Sequence, residues 1–456
     1  MRRLIRYLFP GLLAIGLAAS ALPAGADHNA DLHSQNMKLL SAVPREGTFT
    51  QSDLAFDGTL AYAGNYNGFR VIDIADPEAP VVVSSVHCNG SQGDVSVYGD
   101  LLFSSVDTPQ TSADPAWPDT CNGSTNTTNA NPTAWEGVRI FDVSDPANPE
   151  FVKAVRTDCG SHTHTLMPDG NTVHLYISSY PLGAAAQGPN CRRAEEGGGH
   201  GFVSIVTVPL DDPAGATVSK YSLDPATELA VYPISGTTSF RACHDISVFV
   251  ELELAAAACM SESQLWDISD PLNPQFLWRF DDPVVNTFNI DLWHSAAFSW
   301  DGSVVAFGDE SGGGGAARCT NPNDQQGRVW FLDTETGAFL DNYKIPRSMP
   351  DTCTMHNFNF IPLRNGRNVL VASAYTGGTT VLDVDALLEG ATEADAEVGF
   401  YAPSDGSSWS SYWYNGFIVA NDHDRGVDIF LLSDRVRAGA RKLPMMNPQT
   451  QVSVIE

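Results

Sequence analysis

The chain repeats itself. GFRVIDIADPEAPVVVSSV (68–86), GVRIFDVSDPANPEFVKAV (137–155) and SQLWDISDPLNPQFLW (263–278) share one plan: an apolar strand-like run, D-P-x-x-P, and a second strand-like run. GRVWFLDTETGAFLDNYKI (327–345) and GTTVLDVDALLEG (378–390) keep the first half. GFVSIVTVPLDDP (201–213) and GVDIFLLSD (426–434) are looser copies, which makes seven. The length of 456 residues would suggest several domains, but repetition overrides it, because each unit buries its apolar faces only against its neighbours.

Two more strand signals precede each copy. They are SDLAFDG and TLAYAGN in the first unit, HSAAFSWDG and SVVAFGDE in the fifth, and SYWYNG and FIVANDHD in the seventh. Each unit is therefore four short strands, A to D, with tight turns and no long helical periodicity. Seven such units specify an all-β fold, a seven-bladed β-propeller. Asp57, Asp100 and Asp169, in the A–B turns, each lie fourteen residues after a valine: Val43, Val86 and Val155. LLSAV (39–43) thus has the register of a D strand without a blade, and is expected to close the last blade, which removes an open sheet edge. The expected layout is a signal peptide at 1–26, a lead-in at 27–35, the propeller at 36–433 and a tail at 434–456. That tail, ARKLPMMNPQTQVSVIE at its end, is alternatively a competing closing strand. Asp73, Asp142, Asp267, Asp333 and Asp383 recur at one repeat position. A turn role, with the carboxylate accepting from nearby backbone, explains them better than catalysis.

RVIDIADPEAP, RIFDVSDPANP and LWDISDPLNP resemble LVIVD repeats, which are found in exported bacterial propeller proteins. The resemblance spans most of 36–433. It implies the fold and says little about an activity.

The leader MRRLIRYLFPGLLAIGLAASALPAGA has three arginines, an apolar run and a small-residue cleavage site after Ala26, the pattern of a secretory signal peptide. No later segment is apolar for long enough to span a bilayer. The expectation is a secreted monomer. Loss of Arg2, Arg3 and Arg6 would take the formal charge from −29 to −32, which argues against nucleic acid as a partner. All eight cysteines follow the leader, as in a disulfide framework. Cys88, Cys159, Cys243 and Cys353 lie in D–A linkers; Cys121, Cys191 and Cys319 lie in B–C loops, and Cys259 ends a B strand. All sit on one face, here called the top. Joining each linker to a neighbouring loop pairs Cys88–Cys121, Cys159–Cys191, Cys243–Cys259 and Cys319–Cys353. Thiolate zinc ligation lacks its close C-x-x-C spacing.

Histidines follow the repeat too. His162, His244, His294 and His356 open strand A of blades three to six, while the matching places in blades one and two are Thr50 and Gly93. The ring of blades points these side chains toward one another at the upper mouth of the channel. Imidazoles from separate strands can hold one transition metal ion, whether copper, iron or zinc. His164 would join this site or lie beside it, and His423 is a further, outlying candidate. Asp245 and Asp291 are candidate partners that orient the ligands. A channel-lining ring of polar side chains is the competing interpretation. Trp409, Tyr412, Trp413 and Tyr414 would form either a top-face platform or packing between blades.

Two readings of function follow. One is a binding propeller whose top face holds a small molecule or protein partner, with or without a metal. The other is a histidine-ligated metalloenzyme, an oxidoreductase. A structural cell-surface scaffold is a third. The histidine set is similar in outline to carotenoid cleavage oxygenases and to selenium-binding proteins, including methanethiol oxidases. HDISVF and LWDISDPLNP carry the latter similarity, and no catalytic residue is transferred from either group.

Overall fold

The computed structural model describes residues 31–455 apart from 112–120, 122–125, 128–130, 132–133, 180–190, 192–199, 224–241, 282–291, 312–313, 315–325, 348 and 350–351. The leader, Asp291 and Cys319 lie outside the described residues.

Seven sheets, each built on four antiparallel strands, form the seven blades of a β-propeller, and three of them carry a fifth strand. Their A strands are Gln51–Asp57, Val95–Tyr98, Thr163–Asp169, Asp245–Phe249, Trp293–Phe298, Phe358–Phe360 and Ser408–Tyr414. Burial falls outward along each blade. The blade-four A strand, Asp245–Phe249, is buried at every position, whereas the blade-one D strand, Val81–His87, alternates exposed and half-buried residues. Such a gradient is what stacked, twisted sheets produce: inner strands are covered on both faces, outer ones only in part. Between blades two and three, Leu101, Phe103 and Ile140 pack on Leu166, Leu175 and Val206. In blade four the four fully buried alanines Ala255–Ala258 leave room for bulky neighbours: Ala255 and Ala257 pack with Trp266 toward blade three, and Ala256 and Ala258 with Trp293 of blade five.

The repeat's two marker residues have structural causes. Asp73, Asp142 and Asp267 each accept a hydrogen bond from the backbone N–H two residues on, all at 2.9 Å. Asp333 accepts from Thr336 N–H, and Asp383 caps a short helix, Val384–Leu388, by accepting from Ala386 N–H. The glycine that opens the C strand is needed as well. At Gly68 (φ +134°) and Gly137 (φ +152°) an added Cβ would lie 2.0 Å from the carbonyl oxygens of Val86 and Val155, both on the adjacent D strand. Gly426 (φ +116°) stands in the same relation to Val43, at 2.2 Å. Met37–Pro44 runs antiparallel to Gly426–Leu432, with Met37 opposite Leu432 and Pro44 opposite Gly426.

The C-terminal segment is more than a loose tail. It crosses the channel at the lower ends of the A strands, where each innermost strand would otherwise present unpaired backbone groups. Met445–Met446 pairs with Phe56 and Asp57 of blade one, and Thr450–Gln451 pairs in parallel with Val248 and Phe249 of blade four. Asn447 exchanges two 2.8 Å hydrogen bonds with the Val97 backbone of blade two. Thr450 Oγ1 donates to Leu166 O of blade three, and Gln451 Nε2 to Phe298 O of blade five. Asn359 of blade six reaches Met446 Sδ, and Tyr414 of blade seven donates to Pro444 O. One short segment thereby touches all seven blades. No helix among the described residues is long and apolar enough to cross a membrane.

Candidate metal centre

The four matched histidines meet at the upper mouth. His162, His244 and His356 use their backbone N–H for the last rung of the A–B ladder, donating to Ser178 O, Ala258 O and Ser373 O at 2.8, 2.7 and 2.9 Å. His294 sits at a register shift between Trp293 and Ser295, and a bulge of this kind re-aims a side chain. Neighbouring rings then lie close: His162–His244 at 4.5 Å between centroids, His244–His294 at 3.8 Å and His294–His356 at 4.3 Å. The arc continues through Trp409, 4.4 Å from His356, to His423, 4.6 Å from Trp409.

Ring orientation is set from behind. His162 Nδ1 lies 2.7 Å from Asp107 Oδ2, His244 Nδ1 donates to His294 O at 3.1 Å, and His356 Nδ1 donates to Trp409 O at 2.6 Å. An acceptor behind Nδ1 fixes the tautomer and puts the lone pair on Nε2, the arrangement found behind metal-bound histidines. Glu310 completes the group. Its carboxylate lies 3.5 Å from His294 Nε2 and 3.8 Å from His356 Nε2, and it accepts a hydrogen bond from the Tyr375 hydroxyl. One ligand atom each from His244, His294 and Glu310 falls within 4.8 Å of the others.

The electrostatics favour neutral imidazoles. The four histidines are at most 4 % exposed. Burial, reinforced by the neighbouring histidines, holds His244 and His294 well below the usual range. Burial takes His356 down to about 3 and His423 to about 4. It pushes Glu310 up to about 7. A neutral imidazole keeps the lone pair that a metal needs, and a bound cation would favour the ionised carboxylate.

Other expected site residues lie elsewhere. His164 is held away from the mouth, with Ser96 Oγ 2.7 Å from Nε2 and Ser105 Oγ 2.8 Å from Nδ1. Both ring nitrogens are occupied, so the expectation of a metal ligand there is corrected to a buried hydrogen-bonded histidine. Asp245 is corrected in the same way. Its Oδ1 accepts from Ile246 N–H and the Thr163 hydroxyl rather than from an imidazole. Tyr412, Trp413 and Tyr414 are buried between blades, while Trp409 alone of that cluster joins the mouth.

The disulfides Cys88–Cys121, Cys159–Cys191 and Cys243–Cys259 are formed as expected, and Cys353 is also disulfide-bonded. His200 lies 3.5 Å from Cys191 Sγ; with both sulfurs in a disulfide, that group has no thiolate to offer a metal.

Asp107, Glu310 and Tyr375 were not singled out from sequence. Each stands in or just after a B strand, at its upper end, opposite the start of an A strand. The register that aligned the histidines also points to these positions, but the repeat shows no shared residue type there.

The LVIVD-repeat family model matches residues 51–88, the whole of blade one, and 133–157, the outer half of blade two. The chain carries LVIVD repeats. No curated protein matches it. In this LVIVD-repeat propeller the matched segments supply the scaffold. The histidine arc comes mainly from blades three to six, outside them.

Proposed function

We propose that the upper mouth of the LVIVD-repeat propeller binds one transition metal ion, with His244, His294 and Glu310 as its core ligands and His356 and His162 as adjoining donors. One observation carries this reading. His294 Nδ1 and His356 Nε2 are buried ring nitrogens with no hydrogen-bond partner, on two rings whose Nε2 atoms lie 3.5 and 3.8 Å from the Glu310 carboxylate. An unsatisfied buried polar atom costs about 1–3 kcal/mol, and an ion bonded to either nitrogen would remove that cost there. The donor set of imidazole and carboxylate suits zinc, iron or copper. We further read the protein as an exported binding module that presents this ion, on a disulfide-stapled face, to a small molecule or protein partner. The disulfides support export, since they persist in oxidising compartments.

Metal analysis of protein purified without an affinity tag tests the reading. Stoichiometric metal is expected, and it should be lost in His244→Ala/His294→Ala. Absence of metal from wild-type protein refolded with copper, iron and zinc in turn would overturn it. An oxidoreductase reading has its own support in the oxidisable Tyr375 and Trp409 beside the ligand set. Reversible one-electron cycling of the loaded protein, altered in Tyr375→Phe, would favour it over simple binding.

A further inference from the structure

The closest pair in the arc, His244 and His294, belongs to different blades, so neither blade alone sets their separation. Both are tied to one dipeptide. Cys259 is disulfide-bonded to Cys243, the residue immediately before His244. Met260, the next residue, exchanges backbone hydrogen bonds with Trp293, the residue immediately before His294: Trp293 N–H to Met260 O at 2.6 Å and Met260 N–H to Trp293 O at 3.3 Å. Met260 holds φ +62° to do so, a conformation rarely taken by a non-glycine residue and retained only where its surroundings demand it. Cys259 is fully buried and Cys243 nearly so.

From this geometry we infer that Cys243–Cys259 is a positioning lock for the metal centre, acting through Met260 to fix the His244–His294 pair. His244 makes the last ladder bond of its strand, so beyond it the disulfide clamps the incoming linker. Without that bond Cys243 loses its tie to the end of strand B, and the Met260 bridge to blade five loses its anchor. Cys88–Cys121 is the natural contrast. It staples the linker into blade two, which places no histidine at the mouth. Both disulfides join a D–A linker to the B side of a blade, so a merely structural contribution should be shared by them.

The lock rests on the metal reading above, and one titration separates the two. Full-length protein is titrated with Co(II), following its visible absorption, with Zn(II) competition to obtain affinities. In Cys243→Ala/Cys259→Val, whose side chains refill the buried space, Co(II) should bind at least about 10-fold more weakly, as when the groups that orient metal ligands are lost. Its visible spectrum should change as well. Cys88→Ala/Cys121→Ala should bind and absorb as wild type does. If the first variant does not fold, Cys243→Ala/Cys259→Ala replaces it under the same criteria. Wild-type affinity and spectrum in a folded Cys243/Cys259 variant would overturn the lock, as would an equal loss in the Cys88/Cys121 variant. Failure of wild-type protein to bind Co(II) or Zn(II) would instead overturn the metal reading, and the lock with it.

Discussion

Two histidines two residues apart, His162 and His164, end in opposite roles. On a strand they project to the same side, so spacing alone treats them alike. His162 reaches the mouth, where its ring lies 4.5 Å from that of His244. His164 lies deeper, between Ser96, Ser105 and Asp94. His164→Ala should therefore destabilise the fold by about 3 kcal/mol, because it strands buried hydroxyls and a carboxylate, and should leave metal content unchanged in the folded protein. Glu310→Gln should do the reverse: near-native stability, with metal binding weakened at least about 10-fold in a competition titration. Asp53 gives a pH signature. Burial, with Asp94 nearby, raises it from 3.8 to about 7. Between those values the folded chain holds a proton that the unfolded chain releases, so this group's stabilisation is complete below pH 3.8 and fades as pH rises through about 7. Asp53→Asn should gain melting temperature on wild type at pH 8 relative to pH 5. A constant difference across that range would count against the assignment.

At the scale of the element, the repeat's conserved-looking plan within this chain is a backbone requirement. The recurring Asp closes a turn, and the glycine at the start of strand C lets the neighbouring D strand come close. Gly137→Ala would place a Cβ against Val155 O at a backbone angle that L residues avoid. It should cost about 1–3 kcal/mol, seen as a lower denaturation midpoint with an unchanged m-value. Such turn and glycine signals are local, which is why the strands could be placed from sequence. The bulge at His294 and the Met260–Trp293 bridge could not, because both depend on how one blade meets the next.

On the scale of the whole molecule, the two ends of the channel differ. The upper mouth gathers histidines; the lower one is crossed by the C-terminal segment. Truncation after Leu443 should expose the inner edges of the A strands. The amides of Val248 and Val250, which donate to Gln449 O and Gln451 O at 2.8 Å, should lose hydrogen-exchange protection, and the melting temperature should fall. Metal affinity at the far mouth should change little. Native-like protection of both amides in the truncated chain would show that the segment is not holding the channel floor.

Sequence by itself determined the four-stranded repeat unit, the seven-fold plan, the positions of the four matched histidines and the pairing of Cys88, Cys159 and Cys243 with Cys121, Cys191 and Cys259. All of these follow from local chemistry copied at a regular spacing, and a closed ring turns regular spacing into convergence. Tertiary structure decided the rest. Glu310 faces His294 and His356, both nitrogens of His164 are taken up by serines, and the C-terminal segment crosses the channel. These depend on distances between side chains from different blades. A residue's depth along the channel and the neighbour it meets there are settled only when the blades pack against one another.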